Sequence, residues 1–312
     1  MPHPARPTMS RSTMVKIGLS LPTAGPDASS DAITTVAEAA DRIGLDSLWS
    51  FERLLSPVGE VDMFGRKGPM PEIYHTVYSP LETLAYVAGR TSRVRLGTSV
   101  IVALLHNPVA LARSMATLDQ LSGGRLIAGL GQGWMPQEFD AAGVDMARQG
   151  AGFGEFIEAM RAVWGPDPVS FDGKFYSITP SKVNPKPAQP GGPPIIVGAS
   201  TPASIRRTAR TKLGLNPLWF GWESLESSIG AFHTAARDAG IDPAELPVVV
   251  RVNQPLSAAP AEGDATPVGS PDQVAEILPR LKKLGVTEIF WPLGSDIDQG
   301  LGLMERLVDQ TR

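Results

Sequence analysis

The chain has 312 residues, 28 Lys+Arg against 32 Asp+Glu (formal net charge −4), 42% hydrophobic residues and no cysteine. The absence of cysteine excludes disulfides, thiolate zinc sites, iron–sulfur clusters and a cysteine nucleophile. A slightly acidic chain without a long basic run also argues against nucleic acid as the main partner. The length suits one large α/β barrel or two medium domains.

Met1–Thr13 carries prolines and Arg6 and Arg11 but no apolar h-region, so it does not read as a secretory leader. It is expected to be a disordered tail, with Met9 and Met14 as candidate alternative starts, and the folded unit is expected to span 14–312. No window approaches the roughly 20 apolar residues of a membrane span, and the expected location is the cytoplasm.

From there strand-like and amphipathic stretches alternate. Val15–Leu21 predicts a strand, and Ser30–Ile43 a helix with Ile33, Val36, Ala37, Ala40 and Ile43 on one face. Ser29, Ser30 and Asp31 are candidate N-caps and Gly44 a C-terminal glycine. Asp46–Phe51 and Pro80–Arg90 form the next pair, then Arg93–Val102 and Pro108–Leu121, then Arg125–Leu130 and Phe153–Trp164. The second half repeats the rhythm: Pro194–Val197 with Thr201–Thr211, Leu215–Trp219 with Leu225–Ala239, Pro247–Asn253 with Pro271–Leu284, and Thr287–Trp291 with Leu301–Asp309. Eight strand–helix units point to a (β/α)8 TIM barrel of the α/β class rather than a doubly wound sheet. Three segments interrupt the alternation: Leu54–Val77, Met135–Gly150 and Gly165–Pro193, the last with a hairpin over Val169–Ile178 turning at Asp172-Gly173. The first two leave the C-terminal ends of their strands, so these insertions are expected to wall a pocket at that face or merely to decorate it.

Several residue groups can carry chemistry. After the fourth strand, Gly129-Leu130-Gly131-Gln132-Gly133-Trp134 lets backbone approach a flat or anionic ligand, or simply packs tightly; it lacks the dinucleotide fingerprint. Gly198-Ala199-Ser200-Thr201-Pro202 ends an apolar strand and opens a helix, which is either a phosphate seat or a capped helix and nothing more. Arg206 and Arg207 are within reach of that turn. The four histidines are His3, His75, His106 and His233, and none has metal-pair spacing, so no metal is expected. His106 follows the third strand and His75 lies in the first insertion; both are candidate proton carriers or structural hydrogen-bonders. Glu52 and Arg53 end the second strand as a pair that polarises a bound ring or as a local ion pair. No Gly-x-Ser-x-Gly elbow supports serine hydrolysis.

Taken together, the chain resembles the bacterial luciferase-like monooxygenase superfamily, especially its deazaflavin (coenzyme F420)-dependent oxidoreductases. The resemblance runs from about Met14 to the C-terminus. It is carried by Lys16-Ile17-Gly18-Leu19, the Ala37–Trp49 stretch, Leu96-Gly97-Thr98-Ser99-Val100, His106–Ala112 and Gly269–Ala275. Most distinctive is Ala116–Leu126, containing Ser122-Gly123-Gly124-Arg125, which leads to Gly131-Gln132-Gly133-Trp134 and Glu138-Phe139. It implies a flavin-type ring at the barrel's C-terminal mouth. Ser99 and Val100 would back the ring through a non-prolyl cis peptide in a bulged strand. Gln132, Gly133 and Trp134 would line the ring's edge or tail, and Gly198, Ala199 and Ser200 the phosphate. Many deazaflavin relatives carry Asp-His where this chain has Glu52-Arg53. A guanidinium cannot act as the base, so Arg53 would instead stabilise negative charge on the reduced ring or a substrate carbonyl. Trp134 stands at an acid position of the sugar-phosphate dehydrogenases in the group, so sugar-phosphate oxidation is not expected; separately, the family's common Ala-Asp-Gly after the fifth helix reads Lys212-Leu213-Gly214 here, a departure that bears on the neighbouring phosphate contact.

The implied activity is hydride transfer between deazaflavin C5 and a small organic substrate. A two-component monooxygenase using FMNH2, and a flavin or deazaflavin binder without turnover, are the alternatives. The implied partners are a separate reductase that supplies reduced cofactor and a second copy of the chain in a homodimer.

Overall fold

The computed structural model describes residues 14–63, 65–262 and 266–312; the expected disordered tail lies outside the described residues. Eight parallel strands make the barrel wall: β1 (Lys16–Ser20), β2 (Ser47–Ser50), β5 (Arg95–Thr98), β7 (Leu126–Gly131), β10 (Ile195–Val197), β11 (Gly214–Leu215), β12 (Val249–Arg251) and β13 (Glu288–Trp291). The hydrogen-bonded order is β11-β10-β7-β5-β2-β1-β13-β12, and parallel bridges Leu215–Val248 and Leu218–Arg251 close β11 onto β12. β5 is interrupted after Thr98 and resumes as β6 (Ile101–Val102), which also pairs with β7. The Ser99–Val100 peptide between them is cis.

The outer helices are α1 (Ser30–Ile43), α2 (Pro80–Ala88), α3 (Pro108–Leu121), α5 (Ala151–Trp164), α6 (Pro202–Arg210), α7 (Trp222–Asp238), α8 (Pro271–Lys283) and α9 (Ile297–Thr311). Their starts follow local chemistry. The Ser29 hydroxyl accepts from the Ala32 N–H at the head of α1, and Asn107 caps α3 with Pro108 at its first position. Thr201 with Ser204 and Ser270 with Gln273 form capping boxes at α6 and α8.

Alternate strand residues fill the barrel. Trp49 stacks on Phe290 at 4.7 Å in a cluster with Ile127, Ile196 and Val249. Gly97 is required there, because a Cβ on it would stand 2.3 Å from the Trp49 ring. The N-terminal end is closed by polar groups. Buried Glu288 accepts from Ser47, from the Trp49 indole at 3.2 Å and from Arg95. Beside it, Arg125 donates to the carbonyls of Ala88, Thr91, Val94 and Ser122. These bonds tie the starts of β5 and β7 to α2 and α3 and make the Ser-Gly-Gly-Arg run a structural staple on the face away from the mouth. The chemistry-bearing ends of the strands are left at the opposite face.

Two insertions acquire regular structure that alternation did not predict. Leu54–Val77 folds an antiparallel hairpin, β3 (Glu60–Met63) with β4 (Arg66–Pro69), and the 135–150 stretch contains a short helix, α4 (Pro136–Ala142). The hairpin in the third insertion is β8 (Val169–Asp172) with β9 (Ser177–Ser181). Asp172 pairs with Ser177, so four residues rather than a two-residue Asp-Gly turn connect the strands. The Glu155 carboxylate accepts from the N–H groups of Lys174, Phe175 and Tyr176 and holds that loop.

Candidate active site

The C-terminal mouth is built around two adjacent backbone runs, 50–54 after β2 and 98–102 across the break in β5. They are cross-linked by Ser99 N–H to Ser50 O at 2.7 Å and Glu52 N–H to Val100 O at 3.1 Å. The Val100 side chain rests against β7 and β10. A Cβ on Gly131 would stand 2.6 Å from Val100 Cγ2, so glycine is needed there for close approach. The same Val100 side chain lies 3.3 Å from where a Cβ on Gly198 would be. Ser99 is fixed from below: its hydroxyl donates to Asn216 Oδ1 at 2.7 Å, while Asn216 Nδ2 donates to Val249 O.

Glu52 and Arg53 do not pair with each other. Glu52 Oε2 accepts from Val102 N–H at 2.7 Å, and Oε1 meets His106 Nε2 at 2.8 Å. Burial pulls the His106 imidazolium down, but the hydrogen bond and charge of Glu52, with the charge of Glu82, outweigh it, so its pKa lies above the ordinary 6.5. Arg53 Nη1 instead reaches Glu138 on α4 at 2.9 Å, and Glu138 Oε1 accepts from Leu54 N–H at 2.8 Å. Burial raises the Glu138 carboxyl, against the pull of Arg53 and of the Leu54 N–H. The Arg53 guanidinium lies between the Tyr74 and Trp134 rings, 5.2 Å from each centroid. Its charge is therefore met within the protein by Glu138. The pair locks the first insertion to α4.

The remaining expected residues are distributed as follows. Gln132 Oε1 accepts from Gly150 N–H at 2.6 Å and Gly133 O from Gln149 Nε2 at 2.8 Å, so both hold the end of the second insertion to β7. Gly198 donates to Leu130 O, whereas Ala199 and Ser200 N–H groups make no hydrogen bond among the described residues. His75 is exposed beyond the one-turn helix Glu72–Tyr74, and its side chain makes no hydrogen bond among the described residues. It does not join the Glu52–His106 pair. Arg206 is exposed, but Arg207 turns inward: its Nη1 is buried without a partner. It borders a cavity of about 150 Å³ lined also by Gln132 after β7, by Glu158 and Arg161 of α5, and by Val197 and Ser204 on either side of the 198–203 turn. A buried guanidinium nitrogen without a partner on α6, and two unbonded amides just ahead of that helix, are groups that suit an anionic cofactor tail.

Sequence reasoning gave no role to Glu138, Asn216 or Arg251. Asn216 and Arg251 sit at the ends of the sixth and seventh wall strands, where the barrel rule alone would have flagged them. Among the described residues, no three or more His, Asp or Glu side chains gather as a metal site, and no helix is long and apolar enough to cross a membrane.

The family model described as luciferase-like monooxygenase matches residues 9–262. The chain belongs to that family. Its members' barrel architecture agrees with the fold above, and its placement makes the protein an oxidoreductase. A Mycobacterium tuberculosis protein, Rv0953c, carried only as uncharacterized, is 32% identical over 237 residues, covering 75% of this chain and 76% of its own length. An F420-dependent glucose-6-phosphate dehydrogenase from Kineococcus radiotolerans is 35% identical over 178 residues, 56% of this chain and 48% of that protein. The oxygenase component of a flavin-dependent trigonelline monooxygenase from Acinetobacter baylyi is 28% identical, over 66% and 53% of the two chains. Among solved structures, the monooxygenase RslO1 from Streptomyces bottropensis superposes with a TM-score of 0.78 at 25% identity, over 95% of this chain and 98% of that one.

Proposed function

We propose that this luciferase-like protein is an F420-dependent oxidoreductase acting on a small organic substrate. The observation that carries the reading is the layout of the mouth. A proton-holding pair, Glu52–His106, stands at one side of the 98–102 run, and the Gly198–Ser200 turn, whose Ala199 and Ser200 amides are unbonded, lies against Val100 with Arg207 on the helix that follows. Relatives in the family are named for F420 or for flavin, and the F420-dependent dehydrogenase shares the higher identity of the two named above.

When bound, F420 supplies a carbon that donates or accepts hydride, and the protein supplies orientation and electrostatics. The Ala199 and Ser200 amides and Arg207 would hold the phosphate, while Val100, braced on β7 and β10, would present a fixed apolar surface to one ring face. His106 holds a proton at Nε2 against Glu52 and can pass it to or from a substrate oxygen as charge develops there. The buried Arg53–Glu138 pair keeps the first insertion over the mouth and excludes water. A separate reductase supplying reduced cofactor, a homodimer and a cytoplasmic location complete the proposal.

The test is an anaerobic fluorescence titration with oxidised F420 and with FMN, on wild type and on Ser200→Asp and Arg207→Gln. F420 should bind more tightly than FMN, and both variants should weaken it. Tighter binding of FMNH2 together with oxygen-dependent product formation would replace this reading with the two-component monooxygenase.

A further inference from the structure

The seventh wall strand ends in a cation that nothing in the site neutralises. Arg251 Nη1 donates to Ser99 O, and Nε donates to Asn253 Oδ1 at 3.0 Å. The guanidinium carbon lies 5.2 Å from the Phe51 ring centroid. Two of its five N–H groups are thus used, and Nη2 makes no hydrogen bond among the described residues. No Asp or Glu pairs with Arg251 among the described residues. The neighbouring charged side chain is another cation, Arg53, already satisfied by Glu138. Burial lowers the Arg251 pKa; Tyr74 opposes that shift and the Arg53 charge adds to it.

Arg251 is half-buried, and a guanidinium drawn part-way out of water without a counter-ion carries a desolvation cost that an anionic partner would offset. Here pairing is withheld, although Glu52 lies one residue from Phe51. Glu52 is committed to Val102 and His106 instead. The 99–102 run therefore has a free cation at its Ser99 end and a proton carrier at its Val102 end. With at most about 3.6 Å per residue of chain, these ends lie within roughly 11 Å of each other. That span allows a ligand lying along the run to meet both.

We infer that Arg251 is the oxyanion-recognition residue of the mouth, taking a delocalised negative charge from the ligand opposite His106. Two sources present that chemistry: a carboxylate or enolate on the substrate, and the N–C=O anion of a reduced ring. The first makes the substrates organic acids or compounds that pass through an enolate; the second makes Arg251 a determinant of cofactor potential. The ring source rests on the cofactor reading above, and the substrate source does not.

Both sources are separable in one set of measurements on wild type, Arg251→Gln and Arg251→Lys. Benzoate and benzamide serve as probes of carboxylate recognition, measured calorimetrically with and without oxidised F420. Oxidised and reduced F420 are compared by anaerobic titration. If the substrate is the source, wild type prefers benzoate over benzamide, Arg251→Gln loses that preference by about tenfold or more, and Arg251→Lys keeps part of it. If the ring is the source, Arg251→Gln loses a preference for reduced over oxidised F420 and Arg251→Lys restores part. The inference is overturned if wild type shows neither preference, or if a folded Arg251→Gln retains both in full. Should Arg251→Gln not fold, the wild-type preferences and their reduction in Arg251→Lys decide between the same outcomes. Failure of F420 to bind wild type would remove the cofactor reading while leaving the benzoate comparison without cofactor to judge Arg251.

Discussion

Replacing Glu138 probes how the first insertion is held over the mouth. Its carboxylate is fully buried and joins two partners, Arg53 Nη1 at 2.9 Å and Leu54 N–H at 2.8 Å. The Arg53 side chain is only 9% exposed, and its Nε already lacks a partner. Glu138→Ala would leave a buried guanidinium with no counter-ion and an amide with no acceptor. Breaking a buried pair from one side costs about 3–5 kcal/mol. For a chain of this length about 2 °C accompanies each kcal/mol, so the unfolding midpoint should fall by roughly 6–10 °C. Glu138→Gln keeps an oxygen for Leu54 N–H and loses only the charge, for about 1.5–3 kcal/mol. The assay is calorimetric or circular-dichroism melting of the three proteins, with limited proteolysis of the 54–77 insertion as a local readout. The alanine variant should also be cleaved faster in that insertion. A midpoint within a degree of wild type for Glu138→Ala, with unchanged cleavage, would refute the claim that this pair pins the insertion.

His106 has a raised native pKa, so its stabilising contact with Glu52 is fully present below the unfolded value and is lost as pH rises through the native one. Melting curves should therefore show wild type exceeding His106→Asn by most at about pH 6 or below, with a gap under about 1 kcal/mol because the ring is partly exposed; a gap that grows with pH would reverse the assignment. A Cβ at Gly129 would stand 1.6 Å from Thr98 O, whereas one at Gly198 meets only Val100 side-chain carbons and Leu130 O at 3.3–4.0 Å. Gly129→Ala should exceed the ~1–3 kcal/mol of ordinary overpacking and give little folded protein on expression, while Gly198→Ala should fold and bind F420 more weakly. Ser200→Asp should weaken F420 binding severely without lowering the melting midpoint, since Ser200 is exposed and its new charge would stand at the proposed phosphate turn; unchanged affinity puts the phosphate elsewhere.

The barrel was legible because each wall strand is a short apolar run followed by a helix with its own cap. Ser29, Asn107, Thr201 and Ser270 mark their helix starts by side-chain chemistry that acts within three residues. The 60–69 hairpin was not legible, because Glu60, Asp62, Arg66 and Lys67 give it no buried alternating face; only Val61 is buried among its described residues. Within the site, the strand-end positions of Glu52, His106 and Ser99 followed from the barrel, but their partners did not. Glu52 and Arg53 are adjacent in the chain, yet successive side chains after a strand diverge. One met His106, 54 residues away, and the other Glu138, 85 residues away. Separations of that kind depend on how the insertions fold back across the mouth. Arg251 escaped notice for the same reason: its meaning lies in the carboxylates that do not approach it.

The most direct measurement is a crystal structure of the chain soaked with oxidised F420. The account predicts density for the phosphate on the Ala199 and Ser200 amides within reach of Arg207, and a ring whose face contacts Val100 between Arg251 and His106. A ring bound away from the 98–102 run, or a phosphate seated anywhere other than the 198–200 turn, would contradict it.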